Sequence, residues 1–298
     1  MFKDLTKIID WRNVLSIILI LLLTKISFLE GFDFNTSITF HGLLMLIASS
    51  ISLYISGSFI KFYHDKESYL SFFTSNNLKK GFLFFACIGI FLGSYVSLSI
   101  NKPQFSFVFI LVSLSTIWFA KNSKPKTIIN NIFPSFVKSG NFMLIWWMDS
   151  PTSLTANQWE VFLKIELIVI YYITISFVSN FAKSVISDLC EYKIFKNKTD
   201  ENLPIVLGEK TTKKVITNIS FFIILVTTSL LVYLHDYIEV ALIVLFTMLI
   251  PQIICLSKFK KSKTNEDYDK VVRILNFVFL VTVLAIPLMS FFLRNASK

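Results

Sequence analysis

The chain alternates between apolar runs of about twenty residues and shorter polar stretches dense in lysine. A run of about 20 apolar residues matches the hydrocarbon thickness of a bilayer, so each is read as a spanning helix. Nine runs qualify, at about 13–30, 37–60, 81–100, 104–120, 128–148, 161–186, 214–234, 238–256 and 272–293. The second and sixth are longer than a bilayer requires, which predicts helices that tilt or emerge beyond it. The expected fold class is therefore all-α: a polytopic integral membrane protein with nine transmembrane helices, forming a single membrane domain over residues 1–298. The first run is long and is preceded by charges of both signs, so it is read as a span and not as a cleaved signal.

Composition supports this reading. Hydrophobic residues make up 54% of the 298 positions and charged residues only 16%, with 32 Phe. A net charge of +10 would suggest a nucleic-acid partner in a soluble protein. The positions of the charges argue otherwise, and no nucleic acid is expected. Of the 29 Lys and Arg residues, 23 lie in alternate polar stretches, on one side of the membrane. Lys102, Arg294 and Lys298 fall on the other side, and Lys25, Lys138 and Lys164 fall within spans. Positive charge concentrates in cytoplasmic loops. The expected orientation has the N-terminus cytoplasmic and the C-terminus outside, in what is read as a bacterial inner membrane. Both longest polar loops, 61–80 and 187–213, then face the cytoplasm. Cys87, Cys190 and Cys255 are far apart and form neither a disulfide framework nor a metal spacing.

The candidate chemistry lies at two span ends. The second span closes on Lys61-Phe62-Tyr63-His64-Asp65, and the sixth on Lys183-Ser184-Val185-Ile186-Ser187-Asp188-Leu189-Cys190-Glu191. Carboxylates at facing helix ends suit Mg²⁺, which takes a few carboxylates together with phosphate oxygens. The plainer reading is that these rim acids pair with rim lysines, as Lys61 and Asp65 do at helical spacing. Lys138 reads either as lining a cavity with Asn130, Asn131 and Asn141 or as a lysine that snorkels to the rim. Trp146, Trp147 and Trp159 read as an interfacial belt. Gly57, Gly81, Gly89, Gly93 and Gly140 read as close helix contacts.

Three stretches carry a resemblance. Asn202-Leu203-Pro204-Ile205-Val206-Leu207-Gly208 follows the second acidic cluster, Lys126-Thr127-Ile128-Ile129-Asn130-Asn131 opens the fifth span, and Trp11-Arg12-Asn13 opens the first. In order, spacing and side of the membrane they resemble the UbiA-type intramembrane prenyltransferase superfamily. That resemblance implies a helical bundle around a central cavity, with two Asp-rich motifs after helices two and six that hold a prenyl diphosphate through Mg²⁺. It assigns Asp65 and Asp188 as catalytic residues, and Asp65, Asp188 and Glu191 as metal ligands. Arg12, Lys61, Asn131, Asn180 and Lys183 become substrate-binding residues. The expected partners are the membrane and a prenyl diphosphate or another isoprenoid lipid, with an aromatic or lipid acceptor.

The chain departs from the family pattern in the first motif. Lys61 stands at the family's Asn, Phe62 at its first Asp, Asp65 at its second and Tyr69 at its last. Phe62 has no oxygen to offer a metal, and Lys61 places a positive charge where a cation would sit. Two outcomes follow. The lysines take over phosphate binding as point charges, or the chain keeps a lipid-binding cavity without ionisation chemistry. The function expected is transfer of an isoprenyl group from its diphosphate. The alternative is a catalytically inactive relative that binds a lipid or scaffolds a membrane complex with protein partners. A transporter reading is weaker, with Pro251 and Pro287 the mid-span prolines that it would use.

Overall fold

The computed structural model describes residues 8–64, 74–121, 128–195 and 203–296, and among them every regular element is a helix. Helix α1 runs Trp11–Leu23, continues as a π-helical stretch Thr24–Leu29 and closes in a 3₁₀ turn Glu30–Phe32. It is followed by α2 (Phe40–His64), α3 (Ser75–Ser99), α4 (Gln104–Lys121), α5 (Ile128–Met148) and α6 (Ala156–Phe195). After the short helix Leu203–Leu207 come α7 (Glu209–Tyr233) and α8, which comprises Ile238–Val244, a π-helical Leu245–Leu249 and Ile250–Lys261. Helices α9 (Asn265–Leu284) and α10 (Ile286–Ala296) close the chain.

Eight of these helical stretches are long and apolar enough to cross a membrane. The ninth expected span is α5, a helix of 21 residues that is not among the eight. Its sequence explains this, since Asn131, Ser135, Lys138, Ser139 and Asn141 interrupt the apolar run. Pro134 also lies inside α5. It removes the amide that would bond to the carbonyl four residues earlier.

The chain divides into two compact units. The first takes residues 1–22, 36–123 and 144–152; the second takes 23–35, 124–143 and 153–298. In the first, α2, α3 and α4 pack together. Lipid is as apolar as leucine, so helices associate in it through close packing and hydrogen bonds. Glycines permit that approach here. A Cβ on Gly81 would meet the Phe59 ring at 2.6 Å, and one on Gly93 the Phe109 ring at 2.6 Å. The Ser49 hydroxyl donates to the Gly89 carbonyl at 2.6 Å. Gly140 is different, since among the described residues a Cβ there meets nothing within 4 Å, so the expected close contact is not made at that glycine by any of them. The expected tryptophan belt is also corrected. Trp147 and Trp159 are about half exposed, but Trp146 is 2% exposed and packs inside. Neighbouring residues on a helix point about 100° apart, and here that step takes the chain from the exposed Trp147 to the packed Trp146.

In the second unit, α6 packs against α7 and α9. It is 40 residues long, about 60 Å, roughly twice the hydrocarbon thickness. The expected end at residue 186 is therefore too early. Ala182, Val185, Ile186 and Leu189 continue a buried stripe, and the last three pack with Leu203, Ile216 and Phe259. That stripe carries the helix nine residues beyond its expected end. Lys25, fully buried on the π-helical part of α1, pairs with Glu30 at 3.3 Å, which lowers the cost of a charge within a span.

Candidate functional site

The site in the second unit is built where α5 begins beside the extended end of α6. Asn131 is 4% exposed, and its Nδ2 donates to Asp188 Oδ2 at 2.9 Å. Its Oδ1 accepts from the Ser184 hydroxyl. Ser184 and Asp188 are four residues apart on α6, so one amide holds two successive turns of the neighbouring helix. Both ends of the amide are engaged, which fixes its orientation and, through it, that of the carboxylate. Asn180 lies earlier on α6, about 12 Å along the helix from Asp188 and about 80° around it. Its Nδ2 donates to the Ser176 carbonyl at 2.9 Å. Lys183 is half-buried on the adjacent turn.

The short helix Leu203–Leu207 and Gly208 close this end. Leu203 and Pro204 are buried. Gly208 has φ +79°, a left-handed conformation that favours glycine, and it leads directly into α7. The Pro-Ile-Val-Leu-Gly stretch that carried part of the resemblance is thus a tight connection that seats Leu203 against Val185 and Leu189.

In the first unit, Arg12 is exposed near the start of α1. Asp10 caps that helix by accepting from the Arg12 backbone N–H at 3.1 Å. The Asn13 amide donates to Asp10 Oδ2 at 3.1 Å and to the Tyr54 hydroxyl at 3.0 Å. Sequence reasoning had quoted Asn13 only within the opening Trp11-Arg12-Asn13 and had not singled out Asp10 or Tyr54. Tyr54 and Ser58 lie on α2 at the i−7 and i−3 positions of Lys61, so the three share one face. That spacing was the signal available in the sequence. Lys61 is exposed, while Phe62 packs against a buried cluster that includes Ile60 and Phe82.

Asp65 lies outside the described residues, as does the side chain of Glu191. Among the described residues no three His, Cys, Asp or Glu side chains converge. Asp65, Asp188 and Glu191 are donors of the kind that Mg²⁺ prefers. Asp188 is the one whose setting is described, and its carboxylate is held in place by a neutral amide.

No protein-family model matches the sequence, and no curated protein matches it. A solved structure of a digeranylgeranylglyceryl phosphate synthase in membranes is similar in fold, with a TM-score of 0.69 and 16% identity. The match covers 97% of this chain and 98% of that one. At this identity the likeness is one of fold, and it bears out the all-helical membrane architecture expected from the sequence.

Proposed function

We propose that the chain is a UbiA-like membrane prenyltransferase that moves an isoprenyl group from its diphosphate to an aromatic or lipid acceptor. The observation that carries this reading is the clamp of Asn131 on Asp188, found in a fold shared end to end with a membrane synthase of an isoprenoid lipid. A carboxylate oriented by an amide at a helix end is a suitable anchor for a charged headgroup bridged by a cation.

In the reaction, the bond between C1 of the prenyl chain and the diphosphate oxygen breaks, and its electron pair leaves with the diphosphate. The allylic cation is captured by the nucleophilic acceptor, which then gives up a proton. Bound Mg²⁺ would neutralise charge on the departing diphosphate. Asp188 would hold that ion in an orientation set by Asn131, with Asp65 and Glu191 as further ligands. Lys183 supplies a point charge for phosphate oxygens, and Asn180 shapes the pocket. Arg12 and Lys61 have phosphate-binding roles by resemblance.

A second reading rests on Phe62. Where the family has an acid, this chain has a ring packed into an apolar cluster. That favours a relative which binds isoprenoid lipids without turnover. One experiment separates the two: thermal stability of the purified protein with prenyl diphosphates, with Mg²⁺ and with chelator. Stabilisation that requires Mg²⁺ and is lost in Asp188→Asn supports transfer. Stabilisation indifferent to Mg²⁺ but lost in Lys61→Ala supports binding without ionisation. No stabilisation by any diphosphate overturns transfer and favours the non-catalytic relative.

A further inference from the structure

We infer that the basic end of α8 binds a phospholipid whose headgroup carries a net negative charge. Lys258, Lys260, Lys261 and Lys263 fall within six residues where this spanning helix ends, and all four are exposed. Among the described residues, no acid pairs with Lys258, Lys260 or Lys261. Other cations at this end of the second unit are engaged, Lys213 with Glu209 at 2.8 Å and Arg273 with Asp269. The acids that follow, Glu266 and Asp267, are two against four. Asp267 turns its carboxylate to the backbone N–H groups of Lys263 and Thr264, at 3.1 and 3.0 Å. A helix C-terminus carries about half a negative charge, so the end of α8 balances only a fraction of the cluster. The bias of positive charge towards one side of a membrane explains which side these lysines occupy. It does not explain four of them at one helix end.

The surface one to two turns before the lysines defines the partner. Ile253 is 48% exposed and Ile254 47%. Ile254, Lys258 and Lys261 are spaced i, i+4 and i+7, so they lie on one face of α8. Ile253 and Lys260 are seven apart and share another face. Phe259, between the lysines, is buried against Tyr268, with ring centroids 6.1 Å apart, and anchors this end of α8 to the unit. Each exposed face thus passes from an apolar side chain to an ammonium within about two turns. That order matches a membrane lipid, with acyl chains against the isoleucines and the phosphate among the lysines, which attract it as point charges. A zwitterionic headgroup brings its own cation among the lysines and loses that attraction. A soluble phosphate has no chain to lie on Ile253 and Ile254. The lipid bound here is distinct from the diphosphate proposed above as substrate.

The test is the thermal stability of the full chain in detergent, titrated with phosphatidylglycerol, with phosphatidylcholine, and with glycerol 3-phosphate as a headgroup without chains. Phosphatidylglycerol is expected to raise Tm, and the other two to raise it much less. Lys258→Gln combined with Lys261→Gln should weaken its apparent affinity about tenfold or more. Both positions are exposed, so without lipid this variant should melt as the unmodified chain does. Lys79→Gln combined with Lys80→Gln, exposed at the start of α3, should leave the affinity within about twofold. Salt at about 1 M, which shortens the Debye length to about 3 Å, should remove most of the shift. An equal response to the two phospholipids overturns the inference, as does an affinity unchanged in the Lys258 and Lys261 variant. A shift lost equally in the α3 variant overturns it too, and reduces the effect to overall charge. Glycerol 3-phosphate acting as strongly as the lipid assigns the lysines to soluble phosphate instead. A Tm unmoved by phosphatidylglycerol leaves them a solvated helix end.

Discussion

Asn131 donates to Asp188 at 2.9 Å across 57 residues of sequence, and the same amide receives Ser184. Neither contact is local, and neither residue alone defines the site. The amide decides where the carboxylate points, and this relationship leads to the first prediction.

Asn131→Ala removes the donor to Asp188 and the acceptor of Ser184 together. The expected cost is about 1–3 kcal/mol of stability, because two partly buried polar groups lose a partner. Asn131→Asp is expected to be worse, since two carboxylates then meet at hydrogen-bonding distance. Both variants should bind prenyl diphosphate with Mg²⁺ more weakly. Thermal melts and titration of the diphosphate measure the two effects; unchanged diphosphate binding in Asn131→Asp would remove the site from this face of α6.

Phe62→Asp introduces an acid where the UbiA-type pattern that the chain resembles has one. Its ring packs against the cluster around Ile60 and Phe82, so the exchange should cost about 2 kcal/mol. No gain in Mg²⁺-dependent diphosphate binding is expected from it. A variant of unchanged stability that binds diphosphate more tightly would show that the packing role is secondary.

Gly89→Ala is expected to destabilise the first unit by about 1–3 kcal/mol. Its Cβ would meet Leu53 at 2.7 Å and the Ser49 carbonyl at 3.1 Å, forcing α2 and α3 apart. The Ser49 bond to the Gly89 carbonyl would stretch with them. Gly140→Ala serves as the control. Nothing among the described residues lies within 4 Å of a Cβ there, so better helix propensity should leave it neutral or up to about 1 kcal/mol more stable. Chemical denaturation of the two variants side by side gives the comparison.

Lys102 closes the end of α5 by donating to the Met148 carbonyl at 2.9 Å and to Ser150 Oγ at 2.9 Å. Cations at helix C-termini stabilise, so Lys102→Met should cost about 1–2 kcal/mol. Burial pulls the Lys102 ammonium below its usual pKa, with Asp149 opposing that shift. The unfolded chain then holds this proton to higher pH than the folded one. Stability should rise with pH in the window between the lowered pKa and the ordinary lysine value of about 10.4. Melting curves from about pH 8 to pH 10 should show that rise in the unmodified chain and not in Lys102→Met.

Long apolar runs were enough to read the spans, because an isolated stretch of about 20 apolar residues has one stable place, whatever its neighbours. The continuation of α6 to Phe195 was also present in the sequence, as the stripe Ala182, Val185, Ile186 and Leu189. It was obscured by the charges interleaved with it. Other features depend on neighbours distant in sequence. Trp146 differs from Trp147 only by which side of α5 meets other helices, and Gly140 differs from Gly89 only by the side chain opposite. The π-helical stretches Thr24–Leu29 and Leu245–Leu249 follow no composition rule.

The sequence by itself determined that this is an all-helical membrane protein, where eight of its spans fall to within several residues, and which residue types stand at their charged ends. These are properties of single segments, set by transfer into lipid and by backbone hydrogen bonding within each helix. Only the tertiary structure decided that Asn131 holds Asp188 and that Phe62 is a packing residue. Such facts belong to pairs of segments. Between apolar helices in an apolar solvent, pairing is decided by steric fit and a few hydrogen bonds that no single stretch of sequence contains.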